Sequence, residues 1–347
     1  MNPFFGVFLD ALAGLSAASF YVPINKVKQW AWETFWITLG FFAWIVCPLI
    51  AASLTTPDLW GVLGGSPGKT LALTYLFGAG WGVGGLTCGL GLRYLGLSLG
   101  QSVSLGFCVA FGTMIPPVFT GQAGPLFTTS SGLVIILGVV ICLVGIAVCG
   151  YAGILKERQL TDDQKKEAIK DFSLTKGYVV AIFGGVMSAS MAFAISAGKP
   201  IAEVALGVGT VSIYQKIPVM VPTLAGGFTT NFIACLILGL KNKSIRDYVT
   251  GPGKTLLANY LWAALSGAMW YGQFFFYCMG ETKMGQYAFA GWSIFLAFII
   301  IFSNLWGVYL REWKLVNRRT WNILWTGIAV LILSTIVIGL GNRLSAQ

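Results

Sequence analysis

The chain has 347 residues, 56% of them hydrophobic and 10% charged, with a mean hydropathy of +0.78 and a formal charge of +10. Soluble domains carry about 25% charged residues, so most of this surface is not built for water, and no stretch is left over for a separate soluble domain. The basic residues lie in short connections between apolar runs, which is the orienting charge of a membrane protein and sets nucleic acid aside as a partner.

Ten apolar runs are long enough for a helix to cross a hydrocarbon core, which takes roughly 20 residues: 4–24, 34–54, 70–92, 98–119, 131–152, 177–197, 211–239, 255–280, 284–309 and 321–341. The first has no Lys or Arg before it and no small-residue cleavage site, so it reads as a retained helix and not a signal peptide. It carries Asp10, a charge about a turn and a half in. Two readings stand for it: a helix-end side chain reaching the interface, or a proton-binding carboxylate. The chain has no His, so the usual neutral-pH proton carrier is missing and a carboxylate must serve if protons are moved.

Glu33 opens the second run among Trp30, Trp32 and Trp36, with Lys26 and Lys28 close by. It is either part of an interfacial aromatic belt with a local ion pair or a second proton-coupling and gating group. The third run begins at Gly68-Lys69-Thr70, passes a glycine-rich stretch around Trp81 and ends at Arg93-Tyr94. Gly64 lies one residue too close to Gly68 for a phosphate-binding loop, and no strand precedes it, so nucleotide hydrolysis is set aside. The glycines suit close helix packing in lipid.

Gln101 starts the fourth run, which Pro116-Pro117 ends. Residues 156–176, of mixed charge and without apolar periodicity, form a linker that divides the chain into 1–155 and 177–347. Pro218 and Pro222 predict broken backbone pairing and a kink in the seventh run, which also holds Asn231. The eighth run carries Trp270, Tyr271, Gln273 and Tyr277; positions 270, 273 and 277 share one helical face. Rings with an amide between them suit a sugar, whose C–H face stacks on indole while its hydroxyls meet amide and phenol groups. Packing between helices would use the same stripe. Glu281 follows, with Lys283 as its nearest cation. Gln286, Tyr287, Trp292 and Asn304 belong to the ninth run. The seven Cys all fall within runs and form no CxxC, so neither a disulfide framework nor a metal site is supported, and no cofactor is called for.

Two stretches repeat one pattern. Pro67-Gly68-Lys69-Thr70-Leu71, Tyr75-Leu76, Gly82 and Gly100-Gln101 recur as Pro252-Gly253-Lys254-Thr255-Leu256, Tyr260-Leu261, Gly267 and Gly285-Gln286, at a constant offset of 185 (67 to 252). Five runs per copy forces the copies to face opposite ways. Two inverted five-helix repeats are the architecture of alternating-access carriers. With alternate connections placed on opposite sides, all Lys and Arg except Lys69, Lys199, Lys216, Lys283 and Arg343 fall on one side, which makes it cytoplasmic and puts both termini outside.

Phe20-Tyr21, Lys26-Val27-Lys28, Trp30, Trp32-Glu33-Thr34, Trp36, Arg93-Tyr94-Leu95-Gly96, Leu155-Lys156-Glu157-Arg158, Met269-Trp270-Tyr271 and Gln273-Phe274-Phe275-Phe276-Tyr277 resemble the bacterial L-rhamnose–proton symporters. The likeness runs from the first run to the eighth in fixed order. It implies a ten-helix carrier of the drug/metabolite transporter superfamily, importing L-rhamnose, or a related sugar such as L-lyxose or L-mannose, with a proton through the inner membrane. Where enteric members are expected to have a histidine in the first helix this chain has Asp10, which keeps a titratable group at that place. The segment Glu281–Tyr287 matches the enteric pattern only in part. On this reading Trp270, Gln273 and Tyr277 hold the sugar, Gln101, Gln286, Trp81, Trp292 and Asn231 are further contacts, and Asp10 and Glu33 couple the proton. The rivals are another small-metabolite carrier of the superfamily and an integral membrane enzyme. The enzyme would need a clustered acid–base or metal constellation that the chain lacks.

Overall fold

The computed structural model describes residues 2–95, 97–159 and 173–345, and among them every regular element is helical. In chain order these are α1 Pro3–Ser19, α2 Trp32–Phe41, a π-helical turn Phe42–Val46, α3 Cys47–Thr55, α4 Leu59–Gly65, α5 Gly68–Leu95, α6 Leu97–Met114, α7 Pro116–Phe119, α8 Ala123–Thr128, α9 Ser130–Arg158, α10 Leu174–Ser188, α11 Ser190–Ala197, α12 Lys199–Gly207, α13 Ile217–Asn242, α14 Gly253–Glu281, α15 Gly291–Tyr309 and α16 Arg318–Ser345, with short 3-10 turns between some of them. Most of the linker, residues 160–172, lies outside the described residues. Lys156-Glu157-Arg158, the start of the linker, forms the last turn of α9, and Leu174 already opens α10.

Eight helical segments among the described residues are long and apolar enough to cross a membrane. Of the ten expected spans, two are not among these. Helix α1 is short at 17 residues. Helix α14 has 29 residues, about 44 Å at 1.5 Å per residue, but carries Lys254, Asn259, Gln273 and Glu281. Its outward face is nonetheless a stripe of exposed Leu257, Leu261 and Leu265, one turn apart, with Asn259, Gln273 and Glu281 turned inward. Helix α9 shows the same outward pattern with Leu133, Leu137, Val140 and Val144. Such contiguous apolar surface is a liability in water and the normal outer face in lipid.

Small residues set the packing. Helices α9 and α16 run antiparallel in one long seam, Gly138 against Ile338, Gly145 against Leu331, and Gly327 against Cys149. Helix α1 lies along α14 and α15 and makes little contact with α5 or α6, whereas α10 lies along α5 and α6. The first helix of each half of the chain thus packs into the other half. Helix α13 runs unbroken across Pro222, and Pro218 sits in its first turn, where a missing N–H costs nothing. The helix thus continues through Pro222, although that residue has no N–H to donate to the carbonyl of Pro218 one turn back.

Candidate functional site

Pro48 has no N–H to offer the carbonyl of Trp44, and the helix widens there into the π-helical turn Phe42–Val46. The turn sends Trp44 into the core, where it is 1% exposed. Gly40 leaves the room, since a methyl group there would collide with the Trp44 ring. Three indoles from three helices meet at this point: ring centroids lie 5.8 Å apart for Trp44–Trp81, 5.5 Å for Trp44–Trp270 and 5.4 Å for Trp81–Trp270. Trp36 stands 5.8 Å from Trp44 and donates its indole N–H to Asn231 Oδ1 at 3.0 Å. Asn231 in turn donates to the Gly227 carbonyl.

From Trp270 the aromatic contacts continue along α14 to Phe274, Phe295, Tyr277 and Trp292. Trp292 donates its indole N–H to the Cys108 carbonyl. Gln273 donates to the Trp270 carbonyl one turn back, at 2.8 Å. The structure therefore brings Trp81, Asn231, Trp270, Gln273, Tyr277 and Trp292 into one continuous band. The Trp44 indole N–H within it, and the Ser266 and Tyr271 hydroxyls elsewhere on α14, are buried without a hydrogen-bond partner, a costly arrangement unless a ligand or water supplies one.

At the end of the molecule where α1 begins and α14 finishes, the band opens into a cavity of about 450 Å³, lined among others by Tyr277, Glu281, Lys216, Gln122 and Gln286. That volume falls within the range of roughly 300–1,000 Å³ for small-molecule sites. Asp10 is fully buried behind it. Its carboxylate lies against Gly280, where a methyl would stand 2.6 Å from Oδ1, and near Gly291, and neither oxygen has a hydrogen-bond partner. Asp10 therefore does not reach the protein surface. Glu281 pairs with Lys216 at 2.6 Å, which corrects the expected pairing with Lys283; its Oε2 is buried and unpartnered.

Glu33 lies at the opposite end. It accepts hydrogen bonds from the Ser244 hydroxyl at 2.6 Å and Asn242 Nδ2 at 2.9 Å, beside a small cavity of about 150 Å³. Its bonds go to these groups and not to Lys26 or Lys28, since α2 starts where α13 ends. Gln101 and Gln286, equivalent by repeat position, are both exposed and stand in different cavities. Gln286 accepts at its backbone carbonyl from Gln122, and Gln101 lies with Lys156 and Glu312, which pair at 3.0 Å. The seven Cys are free thiols, and no group of three metal-ligating residues occurs among the described residues.

Sequence reasoning missed Trp44 and Lys216. For Trp44 the available signal was Gly40 one turn before it and Pro48 one turn after. For Lys216 it was the one charge inside the apolar run 211–239.

The family model described as "L-rhamnose-proton symport protein (RhaT)" matches residues 2–344. Proteins named L-rhamnose-proton symporter are similar over nearly the whole length. That of Cronobacter sakazakii is 38% identical over 339 residues, 97% of each chain. Those of Yersinia pestis and Yersinia pseudotuberculosis are each 36% identical over 339 residues, again 97% of each chain.

Proposed function

Because the chain belongs to the L-rhamnose–proton symport family, we propose that this multi-pass membrane protein imports L-rhamnose, or a closely related deoxy sugar, together with protons by alternating access. The observation that carries this reading is the likeness at 36–38% identity along 97% of the chain, with no domain left over for another activity. The family is one of transporters and not of enzymes. The remaining features are part of the proposal: ten spans in two inverted five-helix repeats, 1–155 and 177–347, membership of the drug/metabolite transporter superfamily, residence in the bacterial inner membrane, and both termini in the periplasm. The exchange of α1 and α10 between the halves supports the repeat arrangement, because two inverted copies related by an axis in the membrane plane make reciprocal contacts.

In this reading the sugar binds near the bilayer midplane, on the indoles of Trp81 and Trp270, with Gln273, Tyr277, Asn231 and Trp292 as polar contacts and Gln101 and Gln286 at the two mouths. Trp44 belongs with them, its unpartnered N–H available to a sugar hydroxyl. Asp10 carries the proton, with Glu33 as the second candidate. A charged carboxylate without hydrogen bonds in apolar surroundings is costly, and its neutral acid is not. Proton and sugar together favour the inward-facing state more than either alone, which is all that coupling requires.

Uptake of radiolabelled L-rhamnose into proteoliposomes, with and without an inward proton gradient, tests the reading. Accumulation only with the gradient is the expected result. Sealed vesicles that take up no L-rhamnose in either condition overturn it and return the question to other small metabolites.

A further inference from the structure

Two buried carboxylates and a partly buried lysine stand at one end of the helix pack, Glu281 and Lys216 lining the cavity of about 450 Å³ and Asp10 buried behind Gly280. Lys216, just ahead of α13, holds Glu281 Oε1 at 2.6 Å, with side chains only 19% and 8% exposed. Glu281 Oε2 and both oxygens of Asp10 have no hydrogen-bond partner. Asp10 lies against Gly280, the residue before Glu281, and Glu281 is the charged group that bears on it.

The surroundings supply little else. Helix α14 adds the neutral Tyr277 and Cys278, and α15 carries no charged residue. Helix α16 brings Arg343 to this end, where it stacks over the Phe4 ring at 5.8 Å. Tyr287 meets the Thr129 hydroxyl at 2.9 Å. Lys283 is half-buried beyond the end of α14. Across the cavity, Lys199 and Glu203 face each other at 3.8 Å with side chains 77% and 61% exposed, so water screens them.

With all three groups ionised the cluster carries a net negative charge, and a buried uncompensated charge is what apolar surroundings penalise most. A single proton makes it neutral. A lysine on a flexible four-carbon stem can serve either carboxylate, and the other then holds the proton. We propose that Asp10, Glu281 and Lys216 form one proton-binding site, in which charge balance among the three, and not Asp10 alone, sets the coupling at a single proton. This rests on the symport reading for its role in transport, but the charge count belongs to the cluster itself.

The test counts protonated carboxyl groups by infrared spectroscopy on the full chain in lipid, without sugar, between about pH 6 and 8, where exposed carboxylates are ionised. The native chain is expected to show the C=O stretch of one protonated carboxyl group. Glu281→Gln abolishes it, because Lys216 then neutralises Asp10; Asp10→Asn abolishes it as well; Lys216→Met doubles it. A signal that survives in Glu281→Gln overturns the proposal and leaves Asp10 as a lone carrier. Should Glu281→Gln fail to fold, an undoubled signal in Lys216→Met does the same. Failure of gradient-driven L-rhamnose uptake would sink the symport reading while leaving this count intact, so the two can fail separately.

Discussion

Asp10 and Glu33 lie at opposite ends of the helix pack, and surface exposure hardly separates them, at 0% and 6%. Their partners do. Glu33 accepts from Ser244 and Asn242, so its charge is balanced by donors that fix where α2 meets the end of α13. Asp10 has no donor on either oxygen, and the walls beside it include two glycines. A satisfied carboxylate rigidifies a junction, whereas an unsatisfied one must find a cation, a proton or a ligand. Depth in the membrane makes a carboxylate expensive, and its hydrogen bonds decide whether that expense goes into structure or into work.

The sharpest way to break this contrast is to neutralise each group. Asp10→Asn should abolish accumulation of L-rhamnose against a gradient in proteoliposomes while leaving counterflow exchange measurable; active uptake at the native level would remove Asp10 from the coupling. Glu33→Gln keeps an acceptor for Ser244 and Asn242, so its uptake should stay proton-driven and within about threefold of native. Were Glu33→Gln to uncouple transport as Asp10→Asn does, the contrast would collapse.

Two smaller effects sharpen it. Glu33→Ala strands both donors and should cost about 1–3 kcal/mol per unpaired group, read as a lower melting temperature in detergent with coupling retained in the folded fraction. Glycines beside the two sites should also differ. A methyl at Gly280 would press on Asp10 Oδ1 at 2.6 Å and the Gly6 carbonyl at 3.1 Å, whereas one at Gly239 meets Ile245 and Ser244 at 3.4 and 3.7 Å, ordinary contact distances. Gly280→Ala should therefore impair transport and lose about 1–3 kcal/mol by overpacking. Gly239→Ala should change neither activity nor melting noticeably. Equal tolerance at both positions would mean that the Asp10 pocket gives way more easily than its contacts suggest.

Features set by nearby residues were legible in the sequence. Gly68 and Gly253, found as matching points of the repeated pattern, each open a long helix, and the shared face of Trp270, Gln273 and Tyr277 follows from helical spacing. Partnerships made across the chain were not. Nearness in sequence pointed Glu33 to Lys26 and Lys28, and Glu281 to Lys283, but α13 and the residues on either side of it supplied Asn242, Ser244 and Lys216 instead. Trp44 was passed over for the same reason, because its importance lies in Trp81 and Trp270, contributed by two other helices.

The placement of α1 bears on how the protein is made. Helix α1 ends at Ser19 and its main partner α14 begins at Gly253, a gap of 234 residues (253 less 19). At roughly 5–20 residues per second, translation reaches α14 on the order of ten to fifty seconds after α1 has left the ribosome. Through that interval a 17-residue helix bearing a carboxylate has neither of the neighbours that later bury it. Chains arrested before α14 should keep α1 loosely held and open to proteolysis, because its packing partners have not yet been made.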